Sequence, residues 1–205
     1  MEVKELIREI ISLEKSALYD ELYYEKARKE LIRLIKERAL YRGEFLLSSG
    51  KKSSYYLDLR RITLDADAAA IIGYLVLYRA FNLSSSFDGV AGPTLGADPV
   101  VAAAVTMAPF FDLNLKGLIV RKEKKEHGLG KLVEGPLHSV KKVVVVEDVV
   151  TTGSSLLRAC RVLIQEGVKV ISAIPLVDRQ EEELVLSFEE LGIKFDPIIT
   201  VNELL

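Results

Sequence analysis

Four consecutive valines, Val143 to Val146, constrain the fold of this chain more than any other stretch. An unbroken apolar run of this kind is typical of a strand that is buried on both faces, in the middle of a parallel sheet. Two acids, Glu147 and Asp148, follow the valines at the predicted carboxyl end of that strand. Ionised carboxylates are costly at the end of a core strand unless they are used, so the pair predicts a functional site.

A turn rich in hydroxyl groups follows the acids: Thr151, Thr152, Gly153, Ser154 and Ser155 stand directly before an amphipathic helix. The backbone N–H groups of such a turn and the dipole of the helix favour a phosphate dianion. An ordinary buried strand before a capped helix would explain the valines and one hydroxyl residue, but not the adjacent acids. Since carboxylates can accept hydrogen bonds from ribose hydroxyls, the stretch predicts a sugar-phosphate site.

Along the rest of the chain, strands are predicted to alternate with helices over residues 65 to 201. That alternation is typical of an α/β domain with a mainly parallel sheet, whose ligands bind beyond the carboxyl ends of the strands. Residues 2 to about 40 show a helical period with a break near Tyr19-Asp20. From Phe45 a β-hairpin follows, with its glycine turn at Gly50. We therefore divide the chain into a helical extension (1–40), a hairpin segment (41–64) and an α/β core (65–205), in one functional domain.

Composition narrows the classes of function. The 205 residues are 49% hydrophobic, so the chain can bury a sizeable core, and its net charge of −2 argues against a dedicated nucleic-acid binder. A single cysteine, Cys160, excludes a disulfide framework within the chain and fits a reducing compartment. No apolar run is judged long enough to span a membrane, and the N-terminus lacks the apolar block of a signal peptide, which predicts a cytoplasmic protein.

Three further segments carry candidate chemistry at predicted strand ends. The stretch Gly92–Pro99 joins a strand to a helix, and its glycines would let the backbone approach an anion closely. The charged, glycine-containing stretch from Arg121 to Gly135 predicts a lid that closes over a polyanion, in preference to a merely solvated loop. Arg179 ends another strand, where it could fork onto a planar anionic group or pair with a neighbouring carboxylate.

Together these segments resemble the orotate phosphoribosyltransferases, a branch of the type I phosphoribosyltransferase family. The resemblance covers roughly residues 40 to 205. Residues 143–155 match the family's motif for phosphoribosyl pyrophosphate (PRPP), residues 121–128 its catalytic loop, residues 43–58 its hood over the base, and residues 178–180 the segment whose arginine meets orotate. The resemblance implies an α/β fold with a mainly parallel sheet flanked by helices, Mg²⁺ as cofactor, and a homodimer whose lids act across the interface.

The resemblance also implies a role for each matching residue. The catalytic residues would be Lys125, His127, Glu147 and Asp148. PRPP would be bound by Arg121, Lys122, Lys125, His127, Glu147, Asp148, Val149, Val150, Thr151, Thr152, Gly153, Ser154 and Ser155. Orotate would be bound by Thr151, Arg179, Tyr55 and Tyr56. The metal would be held mainly through PRPP, with no protein side chain as its ligand.

The implied reaction transfers ribose 5-phosphate from PRPP to orotate, and it yields orotidine 5′-monophosphate and pyrophosphate in de novo pyrimidine (UMP) biosynthesis. Some family members carry a lysine where this chain has Ser48, and another where it has Gly96. Two alternatives stay open: a phosphoribosyltransferase for another base, and a PRPP-binding transcriptional regulator without catalysis. The regulator would need a DNA-binding module, for which residues 1–40 are the candidate; a structural role of these helices in a dimer contact is a third hypothesis.

Overall fold

The computed structural model describes residues 2–46, 52–84, 86–123, 131–180 and 184–205. The α-helices are α1 (Val3–Ser12), α2 (Glu21–Arg38), α3 (Arg60–Thr63), α4 (Ala66–Leu83), α5 (Asp98–Met107), α6 (Ser154–Gln165) and α7 (Leu184–Glu189). The strands are β1 (Leu40–Leu46), β2 (Lys52–Leu57), β3 (Gly89–Pro93), β4 (Lys116–Val120), β5 (Val133–Glu134), β6 (Lys142–Val150), β7 (Lys169–Asp178), β8 (Lys194–Phe195) and β9 (Ile199–Thr200). Short 3₁₀ helices span Glu14–Tyr19, Ala108–Phe111, Leu137–Ser139 and Val201–Glu203.

A seven-stranded sheet has the order β5–β4–β3–β6–β7–β8, and β9 also pairs with β7. All of these pairings are parallel except that of β5 with β4. Strand β6 lies at the centre, where Val144 and Val146 pack in the core that contains α4, while Val143 and Val145 pack with α6 on the other face. The predicted α/β fold with a mainly parallel sheet is confirmed.

The end of β6 differs from the prediction. The strand does not stop at the valines but continues to Val150, so Glu147 and Asp148 lie inside it and not after it. The reason is the neighbouring strand: β7 runs alongside to Asp178, and its backbone pairs with β6 at Glu147 and again at Val150. A partner strand of this length keeps the acids in the ladder, because each further residue gains backbone hydrogen bonds.

The predicted hairpin is present, since β1 and β2 pair antiparallel. Strand β1 begins at Leu40, earlier than the predicted start at Phe45, and the glycine turn at Gly50 lies outside the described residues. Helix α3 follows the hairpin and was not predicted, because four residues are too few to show a helical period. Its Ile62 and the preceding Leu59 are buried, which anchors the hairpin segment to the core.

The N-terminal helices share their core with the α/β domain. The carboxylate of Asp20 accepts a hydrogen bond from Leu22 N (3.0 Å) and starts α2, which confirms the predicted break. The Tyr74 hydroxyl of α4 donates to Ala17 O (2.9 Å), and Arg28 Nε of α2 donates to Ile198 O (2.9 Å). Both α1 and α2 bury apolar residues in the same cluster as α4 and β7. The division at residues 40 and 64 stays a prediction.

Helix α4 corrects one expectation. By length and composition it could cross a membrane, although no apolar run of the sequence was judged long enough. In the protein, 56% of this stretch is buried, and α4 packs against both α2 and α5 as a core helix. The close contact with α5 depends on Gly73, since a Cβ there would lie 2.6 Å from Ala103 O.

Gly73→Ala tests that packing. Helix propensity alone would stabilise the variant by about 1 kcal/mol. We expect the opposite, a loss of about 1–3 kcal/mol in the free energy of unfolding, because the added methyl group would overlap backbone of α5. Urea denaturation of the variant and the wild type measures the difference, and a variant more stable than the wild type would contradict the helix contact described above.

Candidate active site

Loops from β3, β6 and β7 meet beyond the carboxyl ends of these strands. At the end of β7, Arg179 N donates to Val150 O (2.9 Å), which holds the start of the 179–180 turn beside the end of β6. The loop after β3 reaches the same place, since a Cβ at Gly96 would lie 2.5 Å from Asp148 Oδ1. The structure therefore brings together three segments that the sequence placed at separate strand ends.

The turn between β6 and α6 is shaped by Gly153. Its φ of +68° lies in the left-handed region that favours glycine, and its carbonyl accepts the first hydrogen bond of α6 from Leu157 N (2.8 Å). Helix α6 begins at Ser154, so Ser154 and Ser155 lie in its first turn and do not precede the helix as predicted. Within the described chain, no side chain caps the N-terminus of α6. The hydroxyls of Thr152 and Ser154 lie 3.0 Å apart beside it. An uncapped helix start with flanking hydroxyls suits a phosphate group.

The two acids of β6 have different surroundings. Glu147 is buried, and its Oε2 accepts a hydrogen bond from Ser155 Oγ (3.2 Å). Burial and the neighbouring Asp148 charge raise the pKa of Glu147 to about 8, although the Ser155 hydroxyl acts in the opposite direction. Asp148 is only partly buried, and its Oδ1 accepts from Val149 N (2.8 Å). The buried surroundings therefore favour the protonated form of Glu147.

Gly96 limits which side chains the loop after β3 can present to the site. Any side chain at this position would meet the Asp148 carboxylate, so the lysine that some family members have there would require Asp148 to move. The same loop is tied to the start of α5, because Thr94 Oγ1 donates to Asp98 Oδ2 (3.0 Å). At this point of the site the backbone of Gly96, and not a side chain, lies next to the Asp148 carboxylate.

The hairpin meets the end of β7 through one of its two adjacent tyrosines. Arg179 Nε donates to Tyr55 Oη (3.0 Å), and the guanidinium carbon lies 4.8 Å from the centre of the Tyr55 ring. The ring of Tyr56 packs instead against Phe45, with 5.7 Å between ring centres. The structure thus brings Tyr55, but not the ring of Tyr56, to Arg179; the role of Tyr56 stays a prediction.

The predicted lid is described only at its ends. Lys125 and His127 lie outside the described residues, as does Ser48. Arg121 Nη1 lies 3.5 Å from Glu134 Oε1 on β5, so its charge is directed towards that carboxylate. Lys122 is exposed, and its carbonyl accepts a hydrogen bond from Arg158 Nη1 (3.1 Å). The roles predicted for these four lid residues stay predictions.

One cation near the acids was missed. Arg60, the first residue of α3, donates from Nε to Asp58 Oδ1 (3.1 Å). This hydrogen bond is the main cause that raises the pKa of Arg60, and the charges of Tyr56 and Asp148 add to it. Arg60 therefore lies within electrostatic range of Asp148. The arginine doublet directly after the hairpin was the available signal in the sequence.

The acid pair fits a metal ion whose other ligands come from a bound molecule. In the part of the chain that the structure describes, no three His, Cys, Asp or Glu side chains form a group that could hold a metal ion. Glu147 and Asp148 offer carboxylate oxygens, the donor type that Mg²⁺ prefers, but too few of them for a complete coordination shell. A Mg²⁺ ion that arrives with phosphate oxygens fits this donor set.

The raised pKa makes Glu147 a pH-dependent cost to stability. The carboxyl ionises near its ordinary value of 4.5 when the chain is unfolded and at about 8 when it is folded, so stability is lost as the pH rises between these values. In Glu147→Gln, which does not ionise, we expect the melting temperature to exceed that of the wild type by a margin that widens from about pH 5 to about pH 8. Melting curves across this range measure the margin; a constant margin would contradict the shift.

Comparison with known proteins places these features in a family. The family model for the phosphoribosyl transferase domain matches residues 77–198. The orotate phosphoribosyltransferase of Tropheryma whipplei is 42% identical over 182 residues, which are 89% of this chain and 84% of the relative. The crystal structure of the Mycobacterium tuberculosis orotate phosphoribosyltransferase gives a TM-score of 0.74 at 34% identity and covers 87% of this chain and 98% of that one. A second structure of that enzyme, in complex with PRPP, gives a TM-score of 0.71 at 33% identity with the same coverage.

Proposed function

This chain belongs to the orotate phosphoribosyltransferases of the type I phosphoribosyltransferase family, and from that membership we infer that it transfers ribose 5-phosphate from PRPP to orotate. The products are orotidine 5′-monophosphate and pyrophosphate, a step of de novo pyrimidine biosynthesis. The observation that carries the assignment to this site is the bond from Arg179 N to Val150 O (2.9 Å). It sets the backbone of Arg179 beside the hydroxyl-rich turn, so that a base with a carboxylate and a sugar phosphate would bind side by side.

The turn from Thr151 to Ser155 would hold the 5′-phosphate of PRPP. The uncapped start of α6 offers backbone N–H groups, and the hydroxyls of Thr152 and Ser154 stand beside it. The PRPP complex of the Mycobacterium tuberculosis relative supports PRPP as the ligand of this site. Val149 and Val150 would contribute through the backbone, because Val150 is buried and Val149 packs against the core.

Glu147 and Asp148 would hold the ribose hydroxyls. The charge of Asp148 is one of the causes that raise the pKa of Glu147 to about 8. That charge would stabilise the positive charge that develops on the ribose ring as the bond to pyrophosphate breaks. Bound Mg²⁺, carried by oxygens of PRPP, would supply neutralisation of the negative charge on the leaving pyrophosphate. The acids would then orient the ribose while the base attacks from the opposite face.

Orotate would bind between Thr151 and the hairpin. Arg179 offers a planar fork that matches a carboxylate, and Tyr55 contacts this arginine directly. Tyr56 would contribute from the same hairpin strand. A phosphoribosyltransferase for another base would have no use for a guanidinium at this point unless that base also carried an anionic group.

Lys125 and His127, with Arg121 and Lys122, would close over the pyrophosphate. Positive charge is required there because a polyanion leaves, and closure would keep water from the reactive ribose cation. A side chain at Gly96 would require Asp148 to move, and the loop after β3 carries no cation at this position. The lid of this chain would therefore supply more of the positive charge around the pyrophosphate than the lid of members with a lysine at that position.

A homodimer with shared sites is supported by an apolar cleft of about 460 Å³ among α3, α4 and α5. Alanines of α4 and α5 form much of its lining, and Leu64 at its rim exposes 74% of its surface. The cleft reaches Pro99, three residues from Gly96 at the acid pair. A second copy seated on this cleft would lie close enough to the site to place its own lid there.

We also place the protein in the cytoplasm, where pyrimidine precursors are made and thiols stay reduced. Cys160 fits that assignment, because it is free and buried, and burial raises the pKa of its thiol to about 12. A regulator without catalysis is the remaining alternative; the burial of α1 and α2 against the protein's own core disfavours a separate DNA-binding module.

The loss of orotate absorbance after addition of PRPP and Mg²⁺ tests the activity. We expect rapid conversion by the wild type and a fall of about 10²-fold to 10³-fold in Lys125→Ala, because one charge-stabilising group is removed from the transition state. Lys141→Ala, which removes an exposed lysine directly before β6 at the opposite end of that strand from the acids, is the matched control and should retain activity. Binding of PRPP without conversion of orotate would support the regulator, and conversion of a different base would redefine the substrate.

Mixing two inactive variants tests whether lids act across a dimer. In a mixture of Lys125→Ala and Asp148→Asn subunits, a mixed dimer with shared sites has one intact site, so about a quarter of wild-type activity should return. If each lid served its own subunit, no activity would return. Leu64→Glu should abolish both the recovery and the dimer in sedimentation, since it puts a charge at the rim of the cleft.

A further inference from the structure

Tyr55 and Arg179 connect the hairpin to the end of β7 although they are 124 residues apart in the chain. The hydroxyl of Tyr55 accepts from Arg179 Nε at 3.0 Å, and its ring face lies against the guanidinium at 4.8 Å. Both side chains are only partly buried. A hydrogen bond and a cation–π contact to one aromatic ring restrict the guanidinium in position and in plane.

The backbone of Arg179 is already held by its neighbours. Its N–H is bonded to Val150 O (2.9 Å), and the next residue, Gln180, donates its N–H to the buried Asp178 carboxylate (2.8 Å). Gln180 adopts a φ of +57°, a left-handed backbone conformation that does not continue the strand. These contacts fix where the arginine side chain begins, but they leave its long, flexible stem free to rotate.

The contact with Tyr55 decides which edge of the guanidinium is available. Arg179 Nε is occupied by the Tyr55 hydroxyl, while Nη1 and Nη2 make no hydrogen bond within the described residues. An incoming carboxylate would therefore meet the edge formed by the two terminal nitrogens, where it can form two parallel hydrogen bonds.

We infer that Tyr55 is a positioning residue: it aims Arg179 at the carboxylate of the base and so helps the enzyme to select a base that carries one. This inference rests on the proposed function. Tyr55 is itself well placed for such a role, because Ser53 Oγ donates to Tyr55 O (2.8 Å) and tightens the strand around it. The ring of the adjacent Tyr56 does not contact Arg179, since it packs near Phe45 and Tyr41.

The test compares the affinities of orotidine 5′-monophosphate and uridine 5′-monophosphate, which differ only in the carboxylate. In Tyr55→Phe, calorimetry should show about tenfold weaker binding of orotidine 5′-monophosphate, the loss expected when a hydrogen bond to a charged group is removed. Binding of uridine 5′-monophosphate should not change. In an Arg179→Gln background, Tyr55→Phe should have no further effect, because the group that it positions is already gone.

Tyr41→Phe is the matched control. Tyr41 lies on the same hairpin, and its hydroxyl also accepts a hydrogen bond from an arginine, but from Arg61 and not from Arg179. The affinities of this variant for both nucleotides should therefore match those of the wild type. Equal loss for both nucleotides in Tyr55→Phe, or no loss for either, would overturn the inference while orotate conversion by the wild type still upheld the function. A wild type that neither converts orotate nor distinguishes the two nucleotides would refute the proposed function itself.

Discussion

The burial of β6 on both faces is the constraint on which the rest of the structure depends. Its four valines are completely buried, with alternate side chains in the two halves of the core. Because β7 extends the pairing to Val150, the strand carries Glu147 into an apolar environment, where its pKa is raised to about 8. The acid pair is thus a local cost to folding, of the kind expected at a binding site, which the surrounding core has to offset.

The site itself is assembled from segments that are far apart in the chain. The turn after β6 supplies the phosphate-binding groups, the loop after β3 approaches Asp148 without a side chain, and the hairpin reaches Arg179 through Tyr55. Each contact fastens one element to the end of the parallel sheet. The N-terminal helices pack against α4 and the C-terminal segment, and they support this arrangement through the core that they share with the sheet.

Prediction from the sequence succeeded where the signal was local. The valine run indicated a strand and the turn after it a helix start, because neighbouring residues carry all of that information. It failed for the end of β6, which depends on the length of β7, and for α3, which is too short to show a period. Arg60 was missed because its electrostatic interaction with Asp148 exists only after the hairpin segment has packed.

By itself, the sequence determined the alternation of the main strands and helices of the core, the family and the chemical groups available for a sugar phosphate and a carboxylate. Those properties follow from residue types at short spacing. Only the tertiary structure decided that Tyr55 and not the ring of Tyr56 meets Arg179, that Gly96 abuts Asp148, and that burial raises the pKa of Glu147. The physical reason is that contact, burial and local charge at each of these residues are set by segments distant in the chain, which meet only in the folded protein.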